Sequence, residues 1–242
     1  MTARRAPDWV TQWEFAHRGL HSGGIPENSR AAAEAAIAAG LGIECDVQMA
    51  RDNLPLVFHD WELDRLTGER GKVVARPAAE LCRIPLMQTT QTIWPLTELL
   101  QLVAGRVPIL VEVKARPDFA LAEPCIAIAK VLADYTGPVA VMSFDPRMGE
   151  WFARHAPTVT RGLVITDTLD HGYQRAWRAP HALERAAPDF LASDVRDIPG
   201  ALTSLWRETG RPLLTWTVRT PELRAHALKH ADALIAEGAG LA

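Results

Sequence analysis

Ile43-Glu-Cys-Asp-Val-Gln-Met49 is the stretch on which the reading of this chain turns. Glu44 and Asp46 stand two apart, so on a strand both side chains point to the same side. Two like charges on one face of a buried strand are costly unless a cation lies between them. Further along, Leu110-Val-Glu-Val-Lys114 repeats the pattern, with Glu112 and Lys114 in an otherwise apolar run. If both strands belong to one barrel, Glu44, Asp46 and Glu112 converge at its C-terminal mouth. Three oxygen donors without Cys or His suit a hard ion, Mg²⁺ or Ca²⁺. Ion pairing with Lys114 and Arg18 explains the same residues equally well.

Outward from these two strands, short β-rich runs alternate with longer alanine- and leucine-rich segments. Strands are predicted at 15–18, 43–49, 107–114, 139–144, 161–166, 190–193, 213–218 and 233–235. Helices are predicted at 29–39, 120–135, 147–155, 198–209 and 221–230, with Gly40, Gly105 and Gly210 placed as C-terminal caps. Alternation of this kind argues for a parallel sheet covered by helices. Eight strands in 242 residues match an α/β chain folded as a (β/α)₈ TIM barrel. A doubly wound open sheet is the rival, weakened by the lack of any G-x-G-x-x-G or Walker-type phosphate loop.

One segment breaks the rhythm. Nearly 60 residues separate the second strand from Val107. Met49-Ala-Arg-Asp-Asn-Leu-Pro-Leu-Val-Phe-His-Asp60 reads as strand, tight turn and strand, with Asp52-Asn53 suited to the left-handed turn. The expected organisation is a single domain over 1–242 with an insertion at about 49–105, after the second barrel strand.

Composition narrows the function classes. With 48% hydrophobic and 23% charged residues the chain can bury a sizeable core. A net charge of -3 argues against general binding of nucleic acid or anionic membrane. Cys45, Cys82 and Cys125 form no CxxC pair, which disfavours a disulfide framework or structural zinc. Arg4 and Arg5 are followed by no apolar h-region, and no stretch reaches the length of a membrane span. A cytoplasmic protein without stable membrane insertion is expected, its oligomeric state left open.

Two histidines stand at strand ends: His17 in Phe-Ala-His-Arg-Gly and His59 in Leu-Val-Phe-His-Asp. Histidine exchanges protons near neutral pH, so two of them facing a phosphorus centre suit general acid/base catalysis. Taken alone, each fits a structural role as well. Arg18 and Lys114 can engage a phosphate or offset the carboxylates. Trp216 fits either the core or an apolar edge of substrate. His21, His155, His171, His181, His226 and His230 fall in loops or helices and receive no role.

Together these motifs resemble the glycerophosphodiester phosphodiesterase family. The resemblance is carried by Ala16-His-Arg-Gly19, Pro26-Glu-Asn-Ser29, Ile43-Glu-Cys-Asp-Val-Gln48, Pro55-Leu-Val-Phe-His-Asp60, Asp64-Arg-Leu-Thr-Gly68, Val111-Glu-Val-Lys114 and Trp216-Thr-Val218. It implies a (β/α)₈ barrel with a small subdomain after the second strand. It further implies His17 and His59 as the acid/base pair and Glu44, Asp46 and Glu112 as ligands of one divalent cation. Arg18 and Lys114 match phosphate-facing positions, and Glu27 matches a position that shapes the site from the first βα loop. Asn28 is expected as the N-cap of the following helix.

Two departures stand out. Asn53 replaces a glycine, and the chain ends Leu234-Ile-Ala-Glu-Gly-Ala-Gly-Leu-Ala242 where the family commonly carries Thr-Asp-x-Pro. The resemblance implies a small glycerophosphodiester as substrate, with glycerol 3-phosphate and an alcohol as products. A lysophospholipase D, a phosphatidylinositol phospholipase C-like enzyme and a non-catalytic phosphodiester-binding protein are the alternatives. Arg65, Arg70, Lys72, Arg76 and Arg83 in the insertion favour the water-soluble substrate over a lipid.

Overall fold

A computed structural model describes residues 5–116, 118, 120–167, 176–179 and 181–242. His171 lies outside the described residues. The strands are β1 (Phe15–Ala16), β2 (Gly42–Met49), β3 (Pro55–Val57), β4 (Trp94–Pro95), β5 (Ile109–Val113), β6 (Val139–Ser143), β7 (Thr160–Ile165), β8 (Phe190–Asp194), β9 (Leu213–Val218) and β10 (Ala233–Ala236). The helices are α1 (Trp9–Gln12), α2 (Arg30–Ala38), α3 (Ala78–Leu81), α4 (Leu96–Val103), α5 (Ala122–Ala133), α6 (Pro146–His155), α7 (Ala182–Ala186), α8 (Ala201–Glu208) and α9 (Pro221–His230).

All eight predicted barrel strands are present. β1 pairs in parallel with both β2 and β10, and the ladder β2-β5-β6-β7-β8-β9-β10 is parallel throughout, so the sheet closes on itself. The open-sheet rival is thereby excluded. The two-residue period sorts the side chains of each strand. Ile43, Cys45 and Val47 of β2 and Ile109, Val111 and Val113 of β5 pack outward against the helix layer. Phe15, Leu110, Val164, Phe190 and Leu214 fill the barrel interior.

That interior is closed by matching large residues to missing ones. A Cβ on Gly162 would stand 2.3 Å from the Phe190 ring, and one on Gly42 would stand 2.6 Å from the Phe15 ring. Two glycines thus make room for two fully buried phenylalanines, as tapering barrels require.

β3 and β4 extend β2 antiparallel beyond the barrel, with Val47 opposite Val57 and Val57 opposite Trp94. Asn53 turns this hairpin at φ 59°, so asparagine serves where glycine was expected. Between β3 and β4 the insertion has its own apolar cluster, including Phe58, Leu63, Leu66, Leu81 and Ile93. The segment predicted as insertion runs too far at its C-terminal end. α4 belongs to the barrel layer, because Leu96, Leu99, Leu100 and Val103 bury one helical face in the main core.

Candidate active site

The site forms where β2 and β5 reach the C-terminal end of the barrel. Below, Leu110 faces the apolar interior; one inward position higher on the same strand comes Glu112, in register with Asp46. Ligand atoms of Glu44, Asp46 and Glu112 all lie within 4.8 Å of one another, and the three residues are buried. The convergence expected from the two-residue spacing is therefore present.

Both readings of these carboxylates meet in one place. Lys114 Nζ lies 2.7 Å from Asp46 Oδ1 and 2.5 Å from Glu112 Oε1. Arg18 Nε lies 3.2 Å from Asp46 Oδ2, while Arg18 donates to Glu27 Oε1 at 2.6 Å. Burial pushes the Asp46 carboxyl up, but Lys114, then His59, Arg18 and His17, more than offset it and hold it well below its ordinary value. Among the described residues no Lys or Arg side chain forms an ion pair with Glu44. The Arg18 amide donates to it at 3.0 Å, and His17 Nε2 stands 4.0 Å away. Burial, then Asp46 and Glu112, raise the Glu44 carboxyl well above its ordinary value.

Glu44 therefore stores an electrostatic cost that a cation would relieve, and the all-oxygen donor set fits a hard divalent ion. A carboxyl raised on folding contributes stability fully present below its unfolded value near 4.3, and lost as pH rises toward the folded one. In chelator at pH 7, Glu44→Gln is expected to melt about 2–8 °C above the wild type. The difference should vanish below about pH 4. Calorimetry across this range checks it; a variant less stable than wild type at pH 7 would contradict the assignment.

His17 and Arg18 follow directly on β1, and the His17 amide donates to Ala236 O at 2.8 Å, across the seam where the barrel closes. His59 comes from the hairpin beyond β3, tied back to β2 by Gln48 Nε2 donating to His59 O at 3.0 Å. Both imidazoles line one cleft of about 330 Å³ together with the carboxylates, Arg18 and Lys114. Burial is the main cause of a lowered pKa at His17, so its neutral form prevails at pH 7. Trp216 also lines this cleft, its ring edge-on to Phe144 at 5.5 Å and its Nε1 donating to Ala192 O at 3.0 Å. Met142 and Ile235, which cap the barrel interior, form the cleft floor.

Glu27 stands behind the cleft. It accepts from Arg18 and, at 2.8 and 3.0 Å, from Arg65 of the insertion. Asn28 corrects the sequence reading, for the helix N-cap is Ser29, whose hydroxyl accepts from the Ala32 amide at 3.1 Å. Asn28 instead grips Asp46, its Nδ2 donating to Oδ2 at 2.8 Å and its Oδ1 accepting from the Asp46 amide at 3.2 Å. The cap falls to the residue with extended backbone, whereas Asn28 turns at φ 55° to face the carboxylate.

Sequence reasoning also missed Asp60 and Glu237. Asp60 Oδ1 lies 2.6 Å from His59 Nδ1, and Arg65 Nε donates to Asp60 Oδ2 at 2.6 Å. Glu237 Oε2 holds His17 Nδ1, and Glu237 Oε1 accepts from Arg219 Nε at 2.6 Å. The signal for Glu237 was its position immediately after the last barrel strand. The altered ending thus keeps a carboxylate, one methylene longer, where the Asp of Thr-Asp-x-Pro would follow that strand.

A protein named glycerophosphodiester phosphodiesterase from Bacillus altitudinis is 36% identical over 109 residues, covering 42% of this chain and 44% of its own length. The match thus spans less than half of that curated relative. An Oleispira antarctica phosphodiesterase, solved with the product sn-glycerol-3-phosphate, superposes with a TM-score of 0.79 at 24% identity, covering 94% of both chains. The glycerophosphodiester phosphodiesterase of Thermotoga maritima gives 0.73 at 23% identity, over 92% of each chain. At these identities the two structures establish the barrel alone. The sequence model that matches residues 17–237 reaches from the first histidine to the carboxylate holding it, and by that match the chain belongs to the Glycerophosphoryl diester phosphodiesterase family.

Proposed function

We propose that this protein hydrolyses glycerophosphodiesters to glycerol 3-phosphate and an alcohol, with His17 and His59 as acid and base. The observation that carries this reading is the meeting of both histidines with Glu44, Asp46 and Glu112 in one cleft. Glu44, Asp46 and Glu112 would hold one divalent cation, Mg²⁺ or Ca²⁺, which when bound supplies Lewis-acid polarisation of a phosphoryl oxygen. Arg18 and Lys114 orient the phosphate and offset its charge. One histidine accepts the proton of the attacking hydroxyl, and the other donates a proton to the departing alcohol oxygen. In the mechanism the resemblance implies, the attacker is the glycerol C2 hydroxyl, and water then opens the cyclic phosphate with the two roles exchanged.

A cleft of about 330 Å³ suits a small, water-soluble diester. The product bound to the Oleispira enzyme points to the same substrate class. Trp216, Phe144 and Leu223 give the cleft an apolar wall, which favours a lysophospholipid as the second reading. Among the described residues no helix is long and apolar enough to cross a membrane. Cys45, Cys82 and Cys125 are free thiols, in keeping with a cytoplasmic setting.

Release of glycerol 3-phosphate from glycerophosphocholine, with lysophosphatidylcholine assayed beside it, tests the proposal. Turnover is expected with Mg²⁺ or Ca²⁺, to fall at least about 100-fold in EDTA, and to return when the cation is restored. Activity that survives both chelation and loss of His59 would sink the mechanism. Faster turnover of the lysolipid would favour the second reading.

A further inference from the structure

Each histidine of the cleft is backed by a carboxylate on Nδ1, and each carboxylate by an arginine. His59 is held by Asp60 and Arg65, and His17 by Glu237 and Arg219. The first relay is local in sequence. The second spans 220 residues and exists only because β10 closes the barrel on β1. Glu237 is fixed from behind as well. Its amide donates to Val218 O at 2.9 Å, and the turn that follows packs so closely on β9 that a Cβ on Gly240 would lie 2.1 Å from Val218 O. Arg224 adds a hydrogen bond to Gly240 O at 3.0 Å.

We infer that Glu237 is a positioning residue, locking His17 in the tautomer that carries its proton on Nδ1 and turns a bare Nε2 toward the cleft. This rests on the reading of His17 as an acid/base group. A neutral imidazole has one donor nitrogen and one acceptor. A carboxylate at Nδ1 accepts only, so the proton stays on Nδ1 and the lone pair faces Glu44 and the cleft. Arg219 grips the other carboxylate oxygen and stops Glu237 from rotating away. His21 Nε2, 3.5 Å from the same Oε2, closes the third side.

Glu237→Gln tests the inference. A glutamine amide can donate to Nδ1 and select the opposite tautomer, an effect that reaches about 10⁴-fold in serine-protease triads. For glycerophosphocholine with saturating Mg²⁺, kcat is expected to fall about 100-fold or more, with KM within about 3-fold. Glu237→Asp should recover kcat to within about 10-fold of wild type. In a His17→Ala background, Glu237→Gln should cost less than about 2-fold further, because the residue acts through the ring already removed. Imidazole ¹⁵N shifts of the wild-type protein read the His17 tautomer directly, so the test stands even if Glu237→Gln does not fold. A proton found on Nε2, a Glu237→Gln kcat within about 3-fold of wild type, or fully additive losses with His17→Ala would each overturn the inference. Full activity of His17→Ala would remove the two-histidine reading beneath it, a different result from an inactive His17→Ala beside a normal Glu237→Gln.

Discussion

His59→Ala is expected to lower kcat for glycerophosphocholine about 10³-fold, the middle of the range for a general acid or base. KM should move little, because the proton is in transit only in the transition state. Stability should change by no more than about 0.5 kcal/mol, since the imidazole is part-exposed and outside the apolar cluster of the insertion. The same exposure allows a chemical check. Free imidazole should restore part of the lost rate to His59→Ala, by entering the space left beside Asp60. A variant within about 10-fold of wild-type kcat, or one that loses KM and kcat together, would contradict a proton-transfer role.

Asp46→Ala is expected to abolish turnover and to destabilise the fold by about 3–5 kcal/mol. Asp46 is the hub of the site. Lys114, Arg18 and Asn28 all reach it, and its side chain is almost wholly buried. Its removal leaves Asn28 Nδ2 without its acceptor and Arg18 beside one carboxylate fewer. Removing one partner of a buried ionic network costs more than the network contributes as a whole. In urea this should appear as a lower midpoint at unchanged slope. The contrast with Glu44→Gln is diagnostic: two neighbouring carboxylates of one strand, both proposed to hold the cation, with opposite effects on the cation-free fold. An Asp46→Ala variant as stable as wild type would show that Asp46 is not the hub of the site.

The architecture could be read from the sequence because barrel strands are local objects. Leu110-Val-Glu-Val-Lys114 and Leu213-Leu-Thr-Trp-Thr-Val218 announce themselves by apolar runs, and chain alternation supplied the rest. α4 was absorbed into the insertion because it starts behind Pro95 with no side-chain cap to mark its beginning. Glu44, Asp46, Glu112, His17 and His59 could be picked out from strand-end positions and spacing. What could not be read locally depended on pairs far apart in the chain. Asn28 looks like a helix cap until β2 brings Asp46 against it. Glu237 looks like a lost motif until barrel closure brings it to His17. Arg65 looks like one more surface charge, yet it clamps Glu27 and Asp60 together and couples the insertion to the site.

Phe15 and Phe190, admitted by Gly42 and Gly162, have a kinetic meaning beyond packing. They close the barrel interior below the cleft floor of Met142 and Ile235, so the strand-end mouth is the way in that the described residues leave beside the site. Under the proposed function, substrate, attacking water and both products would pass through this mouth. In the proposed reaction the departing alcohol would have to clear that mouth before water follows it in. Shared passage through that mouth would impose on the proposed reaction an order of events that the chemistry alone would not.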